Sequence, residues 1–474
     1  MGKVKNLLKN ISIFGISQFA SKALVFFLLP LYTKVLATDE FGNVDLMFTT
    51  VSLLIPFVTL EIYSAVMRYS IETVENSEKY FLKGFFVTLA GIMIALLFLP
   101  LLIVNHIFDG YIYLFYILLL SNSLFNLATY YCRGIGSIKT VGVVSVISTA
   151  IIVSLNLLFL LYLRMGIKGY LLAYSIGYLV PFIIVLFLFI PRLFKKKEKT
   201  NPSVSLKEML RYSIPLVPNN VAWWGVSSAN KYLVTIFFGA ELLGLYSVSL
   251  KIPTIVVTIQ AIVAEGLALS IFQEYKENDS NNLYYSNLYR FYNCLMMFLS
   301  FTIICAHYLI SNLLFSNDFI KADLFVPLLC ISPIFGGLSG YLGTFYSANK
   351  KNNGLLISTI VGALVSLAFS FALIRFLSIW AIIIGNIFGY FVIWLYRAIG
   401  VKKFAVLRIN YLQDIVSWAL LAFLALLNTM DAPIHVLIIV DIIVLSTIFA
   451  FNYKFLKNIL LKMFKMRKKE FLEC

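Results

Sequence analysis

The stretch that decides the fold is residues 212–277, and at its centre residues 238–246 read FGAELLGLY. A similar stretch, LATDEFGNV, occupies residues 36–44, and both stretches lie between long apolar segments. Aligning Gly42 with Gly244 gives an offset of 202 residues. At this offset the residues at which the first helix pair ends, 70–72, align with those at which the second pair ends, 272–274. Membrane proteins with two related halves are usually transporters whose substrate site lies at the seam between the halves. The pattern therefore predicts a transporter with an internal repeat.

The composition is that of a membrane protein. Of the 474 residues 61% are hydrophobic and 13% are charged, and the mean hydropathy is +0.91. A soluble protein of this length has roughly a quarter charged residues, which this chain does not approach. Apolar runs of 18 or more residues recur, and each could cross a ~30 Å hydrocarbon core as a helix. We therefore predict an all-α polytopic membrane protein.

The net charge of +16 does not indicate a nucleic-acid partner, because the basic residues are spread over loops. Such loops are typical of the cytoplasmic side of a membrane protein, where they meet anionic lipid. The five cysteines have no metal-ligand spacing, so we expect neither a metal, nor another cofactor, nor a disulfide framework. The first apolar segment has no small-residue cleavage site, and we interpret it as a helix and not a removed signal.

Fourteen spans are predicted, and the distribution of Lys and Arg orients them. With the N-terminus inside, 30 of the 38 Lys and Arg residues lie on the inner side, 5 on the outer side and 3 within spans. An asymmetry of this kind indicates that both termini are cytoplasmic. The predicted spans are residues 11–35, 44–67, 84–104, 111–132, 141–163, 169–190, 213–238, 245–270, 291–311, 322–347, 354–374, 378–397, 411–430 and 433–453.

The repeat and the longest basic loop divide the chain. We predict an N-terminal lobe of six helices at residues 1–190 and a basic cytoplasmic linker at 191–212, which contains Lys195-Lys196-Lys197. A C-terminal lobe of six helices follows at 213–400, and residues 401–474 hold the last two helices and a basic tail. The linker could equally be a plain positive-inside anchor.

Charged residues within predicted spans are the main candidates for function, because an unpaired charge there costs at least ~2.5 kcal/mol. Lys22, Lys231 and Lys251 could attract a phosphate or another anion in a shared cavity. They could also pair internally, for instance Lys22 with Glu61, and serve only to hold helices together. Lysine suits a substrate that must be released, because it is a flexible point charge.

Three acidic residues lie well inside predicted spans, namely Glu61, Glu265 and Asp441. Each could stay protonated by burial and exchange a proton when a cavity opens, so they are candidates for ion coupling. Asp441, in the last helix, could instead pair structurally. The glycine-rich faces GGxxGxxG at 336–343 and GxxxG at 385–389 predict close helix packing. No phosphate-binding glycine loop, metal-spaced cluster or nucleophile elbow occurs, so an enzyme is not expected.

Short motifs in both halves resemble those of the Wzx-type polysaccharide flippases, members of the multidrug/oligosaccharidyl-lipid/polysaccharide exporter superfamily. The motifs are LPLYTKVL at 29–36, EFG at 40–42, RY at 68–69, YSIPLVP at 212–218, Gly239, and GLYS at 244–247. Where that family often has Asp-Arg in the seventh helix, this chain has Asn230-Lys231. The positive charge is kept but its acidic neighbour is absent, which argues against an ion pair at this position.

The resemblance implies two pseudo-symmetric six-helix lobes, as in multidrug and toxic compound extrusion (MATE) transporters, with two appended helices. It implies a monomeric flippase of the bacterial inner membrane that moves undecaprenyl-pyrophosphate-linked oligosaccharide to the outer leaflet by alternating access, for O-antigen or capsule synthesis. Lysines would receive the pyrophosphate, and aromatic and amide side chains, among them Asn219 and Asn220, the sugars. Membrane lipids, a polysaccharide polymerase and chain-length proteins would be its partners.

Three alternatives stay open at this stage. A multidrug or cation exporter of the same superfamily should prefer acidic or apolar cavity residues over three lysines. A lipid II flippase would be expected to have arginines at the mouth of its cavity. A polysaccharide polymerase should have a large outer loop with catalytic residues, and no predicted outer loop is long.

Overall fold

The computed structural model describes residues 26–104, 108, 110–193, 204–277, 282–349, 351–403, 405, 407–430 and 432–472, with only the backbone for some helical residues, among them 265 and 454–472. Every regular element in these ranges is a helix. Eleven helices there are long and apolar enough to cross a membrane, or twelve if Asn317–Leu329 and Ser332–Ala348, bent by 43°, form one span. The all-helical, multi-pass prediction is therefore confirmed, whereas the count of fourteen stays a prediction, because the first predicted span lies mostly outside the described residues.

The helices of the first half are more often broken than the spans predicted from the sequence. Their bounds are α1 Leu29–Val35, α2 Thr38–Thr59, α3 Ile62–Glu72, α4 Ser77–Leu96, α5 Leu99–Val104, α6 Ile112–Gly134, α7 Ile138–Asn156, α8 Gly166–Leu193, α9 Leu206–Ser213, α10 Leu216–Ser228 and α11 Asn230–Ser249. A π-helical segment, Leu157–Tyr162, extends α7.

The second half contains the longest helices. They are α12 Thr254–Glu277, α13 Asn282–Leu314, α14 Val326–Leu329, α15 Ser332–Ala348, α16 Asn352–Leu377, α17 Ile379–Gly400, α18 Tyr411–Thr429 and α19 Ile434–Leu472, with a 3₁₀ segment at Asn317–Phe325. The eighth predicted span corresponds to α12, of which only Thr254–Ala264 is a described apolar stretch.

Packing divides the chain into two compact units. The first comprises Met1–Val248 and Leu313–Ile320, and the second comprises Ser249–Asn312 and Lys321–Cys474. These units are defined by contacts between residues in the structure, whereas the lobes at 1–190 and 213–400 were inferred from the sequence repeat. The boundaries of the lobes stay a prediction. Within the predicted linker, α9 begins at a capping box in which Ser205 and Glu208 exchange hydrogen bonds.

The first unit is built around α6, which packs against α8, α3 and α4. Its inward positions are apolar side chains such as Leu118, Leu119 and Leu127, all with no measurable exposure. Helix α8 also packs against α7, where Gly177 allows Ile152 to approach closely and the Ser148 hydroxyl donates to the Gly177 carbonyl at 2.6 Å. Small residues thus bring these helices together, as is usual in membranes.

In the second unit α16 and α17 form the closest helix pair. A Cβ on Gly385 would lie 2.2 Å from the Ser370 hydroxyl, and one on Gly389 would lie 2.8 Å from the Gly362 carbonyl oxygen. The GxxxG motif at 385–389 therefore packs against small residues of α16, as the sequence predicted. On α15, Gly343 faces Arg397, whereas a Cβ added at Gly340 would have no neighbour within 4 Å.

Arg397 joins three helices of the second unit. It is 2% exposed, and its guanidinium donates to the Ser358 hydroxyl at 2.9 Å, the Thr359 hydroxyl at 3.0 Å and the Ser339 carbonyl at 2.9 Å. The sequence had placed it at a loop boundary, because the predicted span ended at 397. Helix α17 continues to Gly400, so the side chain is buried between α15, α16 and α17.

We expect Arg397→Met to lower the free energy of unfolding by about 3 kcal/mol, because it leaves several buried acceptors and hydroxyls without their donor. Thermal unfolding of the purified protein in detergent measures the effect. Arg375→Met is the matched control, since Arg375 is an exposed arginine at the end of α16. Equal melting temperatures for the two variants would show that the Arg397 hydrogen bonds do not stabilise this unit.

Candidate functional site

The repeated turns coincide with breaks in the helices. In the first copy the chain leaves α1 at Leu36 and begins α2 after Ala37. In the second copy α11 is interrupted at Gly239, whose φ of 83° lies in the left-handed region that glycine adopts readily. Ala37 and Gly239 are separated by the same 202 residues as Gly42 and Gly244.

Helices α2 and the second part of α11 contact each other backbone to backbone, and the contact is reciprocal. A Cβ on Gly42 would lie 2.1 Å from the carbonyl oxygen of Ala240, and a Cβ on Gly244 would lie 1.9 Å from that of Thr38. Thr38 and Ala240 are also 202 residues apart. Contacts that exchange in this way are typical of a local two-fold relation. We name this contact, formed by Thr38, Gly42, Ala240 and Gly244, the repeat contact.

Next to the repeat contact lies a partly buried ion pair. The Lys231 ammonium donates to the Oδ2 atom of Asp45 at 2.6 Å, and the side chains are 15% and 8% exposed. The hydroxyl of Ser247 donates to the same oxygen at 2.8 Å, and Ser247 is the residue 202 positions after Asp45. A carboxylate of the first repeat is therefore held by two donors of the second.

The position of Asp45 follows from where α2 begins. Glu40 accepts a hydrogen bond from the backbone N–H of Ala37 at 3.0 Å, which satisfies one of the free donors at this helix start. The helix then runs from Thr38, so Asp45 lies two turns inside it, about 10 Å along the axis. Asp45 was not among the residues singled out from the sequence. It lies at the end of the predicted span, which begins at residue 44, whereas α2 begins at Thr38.

Aromatic and hydroxyl side chains adjoin the ion pair. The Trp224 indole donates to the carbonyl of Thr49 at 3.0 Å, and the hydroxyls of Thr50 and Tyr232 are 2.6 Å apart. The rings of Trp224 and Tyr232 meet edge to face, with centroids 5.8 Å apart. A cation with flanking aromatic rings can bind a phosphate and stack against a sugar, and both are features of the predicted substrate.

A column of tyrosines packs against α2. Tyr170 and Tyr174 stack at 4.9 Å on successive turns of α8, Tyr32 contacts Tyr170 at 4.6 Å, and Phe48 contacts Tyr174 at 4.9 Å. The three tyrosines are buried. They fix α2 against α8, so the helix that bears Asp45 is anchored within the first unit.

Glu61 lies at a sharp break between α2 and α3. Both Leu60 and Glu61 are in the left-handed region, with φ of 49° and 55°, which costs about 1–2 kcal/mol per residue. The carboxylate is 1% exposed and accepts hydrogen bonds from the hydroxyls of Tyr63 and Ser64. The Tyr63 ring meets the Tyr130 ring at 4.7 Å. Backbone strain around a buried carboxylate marks a candidate functional position.

The other predicted residues are placed as follows. Lys22 lies outside the described residues, and for Glu265 only the backbone is described, within α12. Lys251 is in the turn between α11 and α12, where its carbonyl accepts from Thr254, and it belongs to the second unit. Asn219 and Asn220 are half-buried on α10. The functional roles of these five residues stay predictions.

Asp441 is half-buried on α19, and its carboxylate accepts a hydrogen bond from the Cys305 thiol of α13 at 3.2 Å. This contact joins the last helix to α13, and the role of Asp441 in ion coupling stays a prediction. Among the described residues, no group of three His, Cys, Asp or Glu side chains could hold a metal ion.

The fold and the family are both shown by comparison with known proteins. The chain matches the model of the polysaccharide biosynthesis protein family over residues 7–258, more than half of its length. A comparison with curated protein sequences gives no match.

Solved structures with the same fold include a multidrug resistance MATE family transporter in an inward-facing conformation. Its TM-score is 0.64 at 15% identity, with 82% of this chain and 98% of that chain covered. The lipid II flippase MurJ in an inward closed conformation gives a TM-score of 0.61 at 15% identity, covering 94% and 99%. A MATE transporter of Vibrio cholerae, VcmN, gives 0.56 at 14% identity, covering 83% and 98%. The chain therefore belongs to the polysaccharide biosynthesis protein family and has the fold seen in the MATE transporters and in MurJ.

Proposed function

We propose that this protein is a flippase that moves polyprenyl-pyrophosphate-linked oligosaccharide from the inner to the outer leaflet of the bacterial plasma membrane, with both termini cytoplasmic. The observation that carries the proposal is the Lys231–Asp45 pair, a partly buried cation within a candidate membrane span held by a carboxylate of the other repeat. The family match supports a role in polysaccharide biosynthesis.

The ion pair suits a substrate that must be bound and then released. A pyrophosphate carries more negative charge than one carboxylate, so it competes with Asp45 for the Lys231 ammonium. When Lys231 turns to the pyrophosphate, the strongest link across the repeat contact is lost, and the contact can open. Substrate binding is in this way coupled to the separation of the repeated segments, which alternating access requires.

The neighbouring side chains suit the glycan. Trp224 and Tyr232 present ring faces and edges near the ion pair, and Asn219 and Asn220 lie on the same helix as Trp224. We propose that they contact the first sugars, while the polyprenyl tail stays in the bilayer. The roles of Lys22 and Lys251 as further cations for the pyrophosphate stay predictions.

We propose that Glu61 couples transport to protons, because it is a buried carboxylate at a strained helix break. Glu61→Gln is expected to preserve the fold and to abolish the stimulation of transport by a proton gradient, since an amide cannot exchange the proton. Transport into vesicles with and without an imposed pH gradient measures this effect. Glu75→Gln, in the 3₁₀ turn after α3, is the matched control. A Glu61→Gln protein that responds to the gradient as the wild type does would remove Glu61 from the coupling mechanism.

Depletion of the protein in cells tests the function. The expected result is that completed lipid-linked oligosaccharides accumulate on the cytoplasmic face of spheroplast membranes while surface polysaccharide is lost. Normal polysaccharide export with new drug sensitivity would contradict the proposal in favour of a multidrug exporter. Single repeat units accumulating on the outer face would indicate a polymerase.

A further inference from the structure

The second unit contains a polar cleft that the proposed transport mechanism does not use. Its enclosed part holds about 40 Å³ and opens to the surface, and it lies among α13, α18, α19 and the segment before α18. Arg290 and Arg408 line it together with Asn410, Gln413, Asp414 and Asn452.

The cleft lies where three candidate spans end. Arg290 is near the beginning of the span Tyr284–Leu314, Asn410 directly precedes the span Tyr411–Thr429, and Asn452 is the last residue but one of the span Ile434–Tyr453. Residues at span ends lie at the level of the lipid headgroups. The cleft therefore opens at the membrane surface, and the charge distribution of the sequence puts this surface on the cytoplasmic side.

The walls of the cleft are fixed by hydrogen bonds. The Arg290 Nε donates to the Asn452 side chain at 3.0 Å, and an Nη2 group of Arg290 donates to the Phe451 carbonyl. Asp414 accepts from the Asn293 amide at 2.8 Å, and Asn293 in turn accepts from the Trp418 indole at 3.0 Å. Helices α13, α18 and α19 thus hold the site in one shape, which lowers the cost of ordering a ligand.

The charge around the cleft favours an anion. Of the side chains that line it, Arg290 and Arg408 are basic and Asp414 is acidic. The Lys402 ammonium lies 5.5 Å from the ring centroid of Tyr411, at the start of α18. The adjoining face of α18 is apolar and exposed, with Leu412 at 74%. The polar cleft fits a ligand with an anionic headgroup and with hydroxyl groups that can bind the amides and the carboxylate. The exposed face of α18 fits an apolar tail on the same ligand.

We propose that this cleft binds the headgroup of an anionic phospholipid of the phosphatidylglycerol type. The phosphodiester contacts Arg408 and Arg290, the glycerol hydroxyls contact the polar groups of Asn410, Gln413 and Asp414, and the acyl chains lie along α18. The site anchors the last two helices to the cytoplasmic leaflet. It does not depend on the proposed transport function.

Native mass spectrometry of the full-length protein, released from membranes that contain phosphatidylglycerol, phosphatidylethanolamine and phosphatidylcholine, tests the proposal. Phosphatidylglycerol is expected to be retained preferentially. Arg408→Gln is expected to reduce the retained fraction about fivefold, as one basic residue contributes about 1 kcal/mol at a membrane surface. Arg408 is exposed, so this variant should fold. Arg375→Gln, an exposed arginine at the end of α16, should retain the wild-type amount.

Three results would overturn the proposal. The first is equal phosphatidylglycerol retention by the wild type and Arg408→Gln. The second is equal retention of phosphatidylethanolamine by the wild type, which would show that the net charge of the headgroup is not recognised. The third is displacement of the lipid by millimolar inorganic phosphate or glycerol phosphate, which would identify a soluble phosphate compound as the ligand.

Discussion

Lys231→Met is expected to abolish transport, and adding Asp45→Asn in the same chain is expected to restore stability without restoring transport. The single change leaves the Asp45 carboxylate buried without its ammonium partner, which costs about 3–5 kcal/mol. The double change replaces the buried carboxylate by a neutral amide that still accepts the Ser247 hydrogen bond, so most of this cost is recovered. Thermal unfolding and export of lipid-linked glycan, measured on the same three proteins, separate the two effects.

The double variant distinguishes a substrate-binding lysine from a structural one. If the pair serves only to hold helices together, removing both charges should return transport as well as stability. Lys168→Met is the matched control, because Lys168 is an exposed lysine at the start of α8. Wild-type transport by the double variant would refute the proposal that Lys231 receives the pyrophosphate.

Gly42→Ala and Gly244→Ala are expected to prevent the repeat contact from closing. The added Cβ would lie about 2 Å from a backbone carbonyl in either case, at 2.1 Å from Ala240 and 1.9 Å from Thr38, and no rotamer change relieves a clash with backbone. Overpacking of this kind costs typically about 1–3 kcal/mol. We expect each variant to melt several degrees lower and to lose most of its transport, because the close approach of α2 and α11 is no longer accessible.

Gly340→Ala is the control for this prediction, since Gly340 is an exposed helical glycine with no atom within 4 Å of an added Cβ. It should retain the transport and the melting temperature of the wild type. If Gly42→Ala behaves like Gly340→Ala, the repeat contact does not close during transport.

The repeat could be found in the sequence, and its offset recurs in the structure. The same 202 residues separate Ala37 from Gly239, Thr38 from Ala240 and Asp45 from Ser247. Composition and apolar runs were sufficient for the helical, multi-pass class, because spanning a bilayer leaves few alternatives to long apolar helices. The positions of small residues also predicted the close packing of α17 at Gly385 and Gly389.

The sequence alone does not show which residues pair with the charged side chains. Lys231 lacks an acidic neighbour in its own helix, so an ion pair was not expected; the structure corrects this, because Asp45, 186 residues away, takes that place. Arg397 and Asp45 both lie near the ends of predicted spans. An error of a few residues in a helix end there changes whether a charged residue is predicted to lie in a loop or to be buried within a helix. The break at Leu60 and Glu61 contains no glycine, so no residue at the break marks it in the sequence.

The most direct test of the central claim uses the purified protein in proteoliposomes with a labelled polyprenyl-pyrophosphate-linked oligosaccharide. A membrane-impermeant glycan-modifying enzyme added outside reports how much of the lipid becomes accessible with time. We expect the protein to move the lipid-linked glycan across the bilayer far faster than protein-free vesicles do, and Lys231→Met to reduce this rate to the background. Equal rates with and without the wild-type protein would contradict the assignment of this protein as a flippase.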